Sequence, residues 1–430
     1  MAAAFDYYSV YEPIIINVRD DSDRGNGSAN EYTGTVTIWA ANADWEFRGD
    51  HDWIKNVLTH EIAHIMTLQR ARKNWPFRFA LFSVSRFDSN PDISFTLPIF
   101  YQSTPSWWVE GIAQFASYRL GYDSWDSHRD MLLRMSVLEE DLLTYNEMGT
   151  LLNRLGGYRG EQVYNQGFGL LVYVESQYGA DKVEALQNHI GSISFEPAIR
   201  QVLGISAKQL YDDWVTHLKE SYAQQVAEIR SDGFLEGRVL EELEGGIIDY
   251  HPAYSPDGTK LAYLGSKDSD FRRAQLQIHD FETGESKELD GGVDTRISWS
   301  PDGKELLFLR NRRGFNDMYL YNLADDEERR ITARLRARDP SFSPDGDRIV
   351  FVRNEDGTSN LCMIDPDGKG LRYLTNNNDG TQIYAPRWSP DGEWILFSIF
   401  KGVDRDIAMM RADSPPRRKA CLLYTSPSPR

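Results

Sequence analysis

His60, Glu61 and His64 occur in the run His-Glu-Ile-Ala-His. On a helix, positions four apart share a face, so both imidazoles can present nitrogens to one cation while Glu61 is aimed at a water beside it. Imidazole nitrogen suits zinc, and a carboxylate next to a metal-activated water serves as the proton acceptor of a hydrolysis. Two ligands are too few, because a catalytic zinc takes three protein groups and keeps a fourth position open. The next histidine is His128, and no Gly-then-His spacing follows His64. Glu110, in Trp107-Trp-Val-Glu-Gly-Ile-Ala-Gln-Phe115, offers a carboxylate near the start of a second helical stretch. Gly111 and Ala113 beside it are small enough to let that helix pack closely on the first.

These residues need rigid elements to hold them. Residues 54–69 carry Ile54, Val57, Leu58, Ile62, Ile65, Met66 and Leu68, apolar on most faces, which predicts a buried helix around the His pair. Helices are also predicted over residues 107–120, 167–178, 181–190 and 207–229. Strands are predicted over 13–18 and 34–40, separated by a polar, Gly-containing loop at 19–30. Residues 1–235 therefore read as an α+β domain with helices in the majority.

The ordered motifs resemble the gluzincin zinc metallopeptidases, in particular the aminopeptidase N-like group. Its third-ligand helix reads Trp-x-x-Glu-Gly-x-Ala, and a Tyr-x-x-Gly-aromatic segment follows, matched here by Tyr164-Asn-Gln-Gly-Phe168. The resemblance covers residues from about 10 to 230 and implies a zincin-like fold. It implies Zn²⁺ held by His60, His64 and Glu110, Glu61 as general base, and Tyr164 as donor to the oxyanion of the tetrahedral intermediate. Many relatives carry an acidic residue where this chain has Gln114, which could accept from a ligand histidine instead. The strand Thr35, Val36, Thr37, Ile38, Trp39 and Ala40 is expected to be an edge strand that pairs with an extended peptide.

Two departures from the family pattern bear on activity. Between His64 and Glu110 lie 45 residues, with Trp75, Phe77, Phe79, Phe82, Phe87, Phe95, Phe100 and Tyr101 among them. Such a run serves either as added core or as an aromatic flap, and core is the commoner use. The Gly-x-Met-Glu-Asn strand that grips a free amine in aminopeptidases is also missing. An endopeptidase is therefore expected ahead of an aminopeptidase.

The C-terminal part repeats itself. Ser255, Ser300, Ser343 and Ser389 each follow an aromatic residue and open a Ser-Pro-Asp-Gly turn, at spacings of 45, 43 and 46 residues. Apolar strands follow each turn, at residues 261–264, 306–309, 349–352 and 395–398. A period in the forties is that of a four-stranded propeller blade. These repeats resemble the TolB-like β-propeller across residues 236–420. Such propellers have more blades than the four seen, so this one is expected to be incomplete.

Composition narrows the partners. The chain has 430 residues, a net charge of −18 and 41% hydrophobic residues, enough for two or three domains. That charge disfavours nucleic acid and anionic membranes. No apolar run is long enough to cross a bilayer, and no secretory signal is visible, although the family pairing implies a bacterial envelope, periplasmic or secreted setting. Cys362 and Cys421 are the only cysteines, so no disulfide framework is expected. Residues 421–430 resemble a translated sequencing adapter and are expected to lie outside the fold.

Other candidates carry less. His51 precedes the helix and either neighbours the site or, the commoner case, is solvated beside Asp50 and Asp52, and His128, His189, His217, His251 and His279 lack ligand spacing. Asp257, Asp302, Asp345 and Asp391 recur in turns, where aspartate caps backbone amides. Arg310, Arg312 and Arg313 form a short basic cluster of the kind usual in solvated loops. The expectation is a multidomain zinc peptidase acting on peptide or protein, with a propeller that binds a protein or polymer partner or restricts access. The rival is an inactive peptidase-like scaffold whose propeller does the binding.

Overall fold

The computed structural model describes residues 14–31, 33–41, 52–72, 104–150, 157–190, 195–231, 233, 249–265, 274–289, 292–293, 296–401, 404–413 and 421–424. The chain divides into two compact units. One comprises Met1–Asn17, Gly27–Ile38 and Trp45–Gly237, and the other Val18–Asn26, Trp39–Asp44 and Arg238–Arg430.

Near the N-terminus, β1 (Ile15–Arg19), β2 (Gly27–Asn30) and β3 (Thr35–Trp39) form a sheet in the order β1-β3-β2. The polar stretch expected as a loop thus supplies a strand: Ser28 pairs with Thr37 and Ala29 with Val36 across an antiparallel ladder. Helices follow: α1 (Trp53–Arg72), α2 (Ser106–Arg119), α3 (Ser127–Leu138), α4 (Tyr145–Met148), α5 (Gly157–Tyr178), α6 (Ala180–Ile190), α7 (Phe195–Leu203) and α8 (Ala207–Ser231). Of these, α3, α4 and α7 are not predicted from hydrophobic periodicity. The starts of α3 and α4 are set by capping. Asp126 accepts from the Arg129 amide at 2.9 Å to open α3, and a Thr144/Glu147 capping box opens the single turn of α4. Trp107, Trp108, Leu133, Phe168 and Trp214 are fully buried in the helical core.

The second unit holds four antiparallel four-stranded sheets. The first is β4 (Asp249–Tyr254), β5 (Lys260–Gly265), β6 (Gln275–Asp280) and β7 (Ser286–Leu289); the second is β8 (Ser298–Trp299), β9 (Glu305–Arg312), β10 (Phe315–Asn322) and β11 (Glu327–Arg330). The third is β12 (Ala337–Phe342), β13 (Ile349–Glu355), β14 (Thr358–Ile364) and β15 (Arg372–Tyr373). The fourth is β16 (Gln382–Trp388), β17 (Trp394–Lys401), β18 (Asp404–Arg411) and β19 (Cys421–Tyr424). Each Ser-Pro-Asp-Gly turn joins the first strand of a sheet to its second. Its serine hydroxyl accepts an amide five residues on, as Lys260 N to Ser255 Oγ at 2.9 Å, and its glycine sits at positive φ, +73° for Gly258. The aspartates cap these turns, Asp302 Oδ1 accepting from the Lys304 amide at 3.1 Å, as expected of a structural role. Consecutive sheets are also tied through the motif's aromatic residue: Trp299 Nε1 donates to Ala253 O at 2.9 Å, and Trp388 Nε1 to Ser341 O at 3.2 Å.

Cys421–Tyr424 is placed as a strand against β18, because an apolar segment with β-favouring residues can satisfy that strand's open edge. Val18–Asn26 and Trp39–Asp44 group with Arg238–Arg430 rather than with the segments that flank them. Arg336 explains part of that. Its guanidinium bonds Asp20 Oδ1 and Asp23 Oδ1, both at 2.6 Å, and Asp23 is buried. Burial pushes the Asp23 carboxyl up despite the pairing, while the Arg336 bonds overcome burial at Asp20 and hold it down.

Candidate metal centre

Helix α1 presents His60 and His64 one turn apart, and α2 brings Glu110 to them. His60 Nε2 and His64 Nε2 are 3.0 Å apart, and Glu110 Oε2 lies 3.3 Å from the first and 3.2 Å from the second. Ligands about 2.0–2.1 Å from a zinc at tetrahedral angles stand about 3.3 Å apart, so this near-equilateral triangle fits that ion. Among the described residues, no other group of three His, Cys, Asp or Glu side chains converges in this way. Glu110 Oε2 and His64 Nδ1 are buried with no hydrogen-bond partner. The carboxylate oxygen is therefore near both imidazoles without being well directed at either, as expected of ligands aimed at a common centre. Two imidazoles and one carboxylate could hold Zn²⁺.

Charge follows from this crowding. Burial pushes the His64 imidazolium down, but the neighbouring charges of Glu110, Glu61 and Glu31 outweigh it and raise His64 to about 9. Burial likewise resists ionisation of Glu110, and the two imidazoles overcome it and hold the carboxyl well below the usual range.

The approach of α2 to its neighbours depends on small residues. Ala63 and Met66 of α1 pack against Ala113 and Ala116 of α2, and Ser117 Oγ donates to Asn56 O at 3.2 Å across the same pair. On its other side α2 meets α5, where a Cβ on Gly167 would fall 2.4 Å from Trp107 O. That contact sets Tyr164, one turn earlier on α5, beside the ligands. Its half-buried ring lies 6.1 Å from the His60 ring, the two planes inclined by 26°.

Glu61 is buried next to β2. A Cβ on Gly27 would sit 2.5 Å from Glu61 Oε1 and 2.5 Å from Val57 Cγ2, so any larger residue would have to push these side chains aside. The strand expected at the sheet edge, Thr35 to Ala40, is corrected by this topology. Thr35–Trp39 is β3, the central strand with neighbours on both sides, and Ala40 lies just past its end. A central strand has already committed its amides and carbonyls to the ladder.

Gln114 is also corrected. It is buried, but its Oε1 accepts from Arg129 Nη1 at 3.0 Å, so this oxygen serves the guanidinium rather than a ligand histidine. Arg129 is itself 2% exposed and forms a bidentate pair with Asp123 at 3.0 and 3.1 Å. A buried arginine needs such acceptors. Sequence reasoning does not identify Arg129, whose only signal is a charge on the inward stripe of α3.

The remaining candidates stand apart from the centre. His189 Nδ1 bonds Ala185 O at 2.7 Å, His279 Nδ1 bonds Ser286 Oγ at 2.9 Å, and His217 packs on Tyr173. Arg310 is paired with Glu328 at 2.6 Å. Burial pushes the Cys362 thiol up to about 12, which leaves it unreactive. His51 and the aromatic residues from Trp75 to Tyr101 lie outside the described residues.

Comparison with known proteins bears on the C-terminal part. Residues 222–425 match the family model of the TolB beta propeller domain. The chain is 27% identical over 161 residues to the uncharacterized peptidase YuxL of Bacillus subtilis, covering 36% of this chain and 18% of that protein. It is 30% identical over 173 residues to the Tol-Pal system protein TolB of Francisella tularensis, covering 39% of this chain and 38% of that one. The solved TolB of Acinetobacter baumannii aligns with a TM-score of 0.35 at 23% identity, over 41% of this chain and 43% of that one. The chain thus spans less than two fifths of the length of these curated relatives. Its C-terminal part is thus similar to the TolB beta propeller domain, and among the described residues no helix is long and apolar enough to cross a membrane.

Proposed function

We propose that this chain is a zinc-dependent peptidase whose propeller binds a partner or controls access to the cleft. The observation that carries the reading is the triangle of His60, His64 and Glu110 with Glu61 beside it. Bound there, Zn²⁺ would supply a Lewis acid that acidifies a water and polarises a carbonyl. Glu61 takes the proton of the attacking water and returns it to the leaving nitrogen. Tyr164 supports the developing oxyanion, a contact made chiefly in the transition state. An extended substrate laid along the sheet beside Glu61 follows β2 rather than β3. Without an aminopeptidase's amine-gripping strand, endopeptidase cleavage is favoured over removal of N-terminal residues. The similarity to TolB supports a setting in the bacterial envelope.

One observation favours a second reading, a binding protein on a peptidase-like scaffold. His64 Nδ1 has no partner and Gln114 Oε1 is taken by Arg129, whereas catalytic zinc ligands are usually oriented by an outer hydrogen bond. Metal analysis and casein cleavage separate the two. The peptidase reading expects one zinc per chain and, in Glu61→Gln, a loss of cleavage of about 10²-fold or more with zinc retained. Absence of zinc, or unchanged cleavage in that variant, rejects it. Blocking the substrate's amine should leave cleavage intact, and loss on blocking would point to an aminopeptidase.

A further inference from the structure

The first strands of the four propeller sheets lie side by side and enclose a pocket of about 400 Å³. It is lined by His251 and Tyr254 of β4, Arg296 and Trp299 at the start of the second sheet, and Arg387 of β16. Two guanidiniums therefore face one space in a chain that carries 65 acidic residues against 47 lysines and arginines. Neither has a carboxylate within ion-pair distance among the described residues. Arg387 Nη1 donates to Pro386 O at 2.9 Å, and its other donors have no protein acceptor among the described residues. Burial and the charge of Arg296 push the Arg387 guanidinium down, with Asp339 offsetting part of this. Asp339 Oδ2 is itself engaged by the Ala385 amide at 3.0 Å. Arg310 and Arg336 in the same unit are by contrast each matched by acids.

From the pocket and its two unmatched arginines, we infer that the hub of the propeller is a binding site for a carboxylate attached to an apolar or aromatic body, as in a peptide. Guanidinium forks match the two oxygens of a carboxylate, and Tyr254 and Trp299 supply aromatic surface for the adjoining side chain. A single negative charge also suits a chain of net charge −18 better than a multiply charged phosphate would. The carboxylate can come from a peptide's C-terminus or from an acidic side chain. This inference is independent of the peptidase reading.

The test is calorimetric titration of the full chain, carrying Glu61→Gln so that no probe is cleaved. The probes are N-acetyl-Ala-Phe as free acid, the same peptide as amide, N-acetyl-Asp-Phe-amide, and inorganic phosphate. At least one carboxylate probe should bind about tenfold tighter than the neutral amide, and Arg296→Gln and Arg387→Gln should each remove about tenfold of that affinity. Which carboxylate probe binds identifies the source. Arg296 is exposed, so Arg296→Gln keeps the test valid if the half-buried Arg387 cannot be replaced without unfolding. Equal binding of acid and amide, affinity unchanged in the arginine variants, or tighter binding of phosphate than of either carboxylate would each overturn the assignment.

Discussion

Gly111 and Gly167 face each other where α2 crosses α5, so closely that a Cβ on Gly111 would lie 2.7 Å from the Gly167 carbonyl carbon and oxygen. Each glycine belongs to a segment that carries a functional side chain, Glu110 in one and Tyr164 in the other. Their contact brings Glu110 and Tyr164 to the same stretch of α1, around His60.

Gly167→Ala should therefore act on both stability and the centre. The added methyl meets Trp107 backbone at 2.4 Å and cannot be relieved by rotating a side chain. A loss of about 1–3 kcal/mol in urea unfolding is expected, with weaker zinc retention against a chelator.

Gly27→Ala tests the base without touching a ligand. Its methyl would displace the Glu61 carboxylate, the mobile end of a side chain, more readily than it would move the backbone. Peptide cleavage should fall by roughly a hundredfold while zinc content stays at the wild-type level. Equal loss of zinc would mean that the strand supports the ligands instead.

His64 predicts how zinc affinity depends on pH. Its metal-free imidazolium is raised to about 9 from a usual 6.5, so at neutral pH zinc must displace a proton from it. Apparent affinity should rise about tenfold per pH unit until about pH 9, measured by chelator competition. An ordinary imidazole would level off near pH 6.5. The same shift means that, without metal, the charged His64 stabilises the fold fully below about pH 6.5, and this contribution disappears as pH rises through about 9.

Arg129→Met should be among the costliest single changes in the first unit. It leaves Asp123 as a buried carboxylate without its partner and Gln114 without its donor. A loss of about 3–5 kcal/mol in chemical unfolding is expected. Surface pairs such as Lys208 with Asp212 should cost far less when broken.

Much of the candidate centre is legible in the chain because its residues lie in short local patterns. His60 and His64 are one helical turn apart whatever surrounds them, and Glu110-Gly111 and Tyr164-x-x-Gly167 each combine a chemical group with the small residue that seats it. The propeller is legible for a similar reason. Each Ser-Pro-Asp-Gly turn closes on itself through Ser255, Ser300, Ser343 or Ser389, so the repeat announces its own strands.

The errors share a cause as well. Thr35–Trp39 has the alternating apolar pattern of a strand, but alternation does not say which neighbours it will have. Gly27–Asn30 looks like loop because its short polar residues have little strand preference, and only pairing with β3 makes it a strand. Gln114 could face a histidine or a guanidinium, and the choice was made by Arg129, fifteen positions away on another helix.

By itself, then, the amino-acid sequence determined the candidate ligand residues, the carboxylate proposed as proton acceptor and the repeating blade, since each is written within a few adjacent positions. Only the tertiary structure decided that the three ligand atoms meet within 3.3 Å, that β2 lies against Glu61, and that Arg296 and Arg387 share a pocket. Those outcomes depend on how closely distant segments can approach, and that is set by packing between residues far apart in the chain.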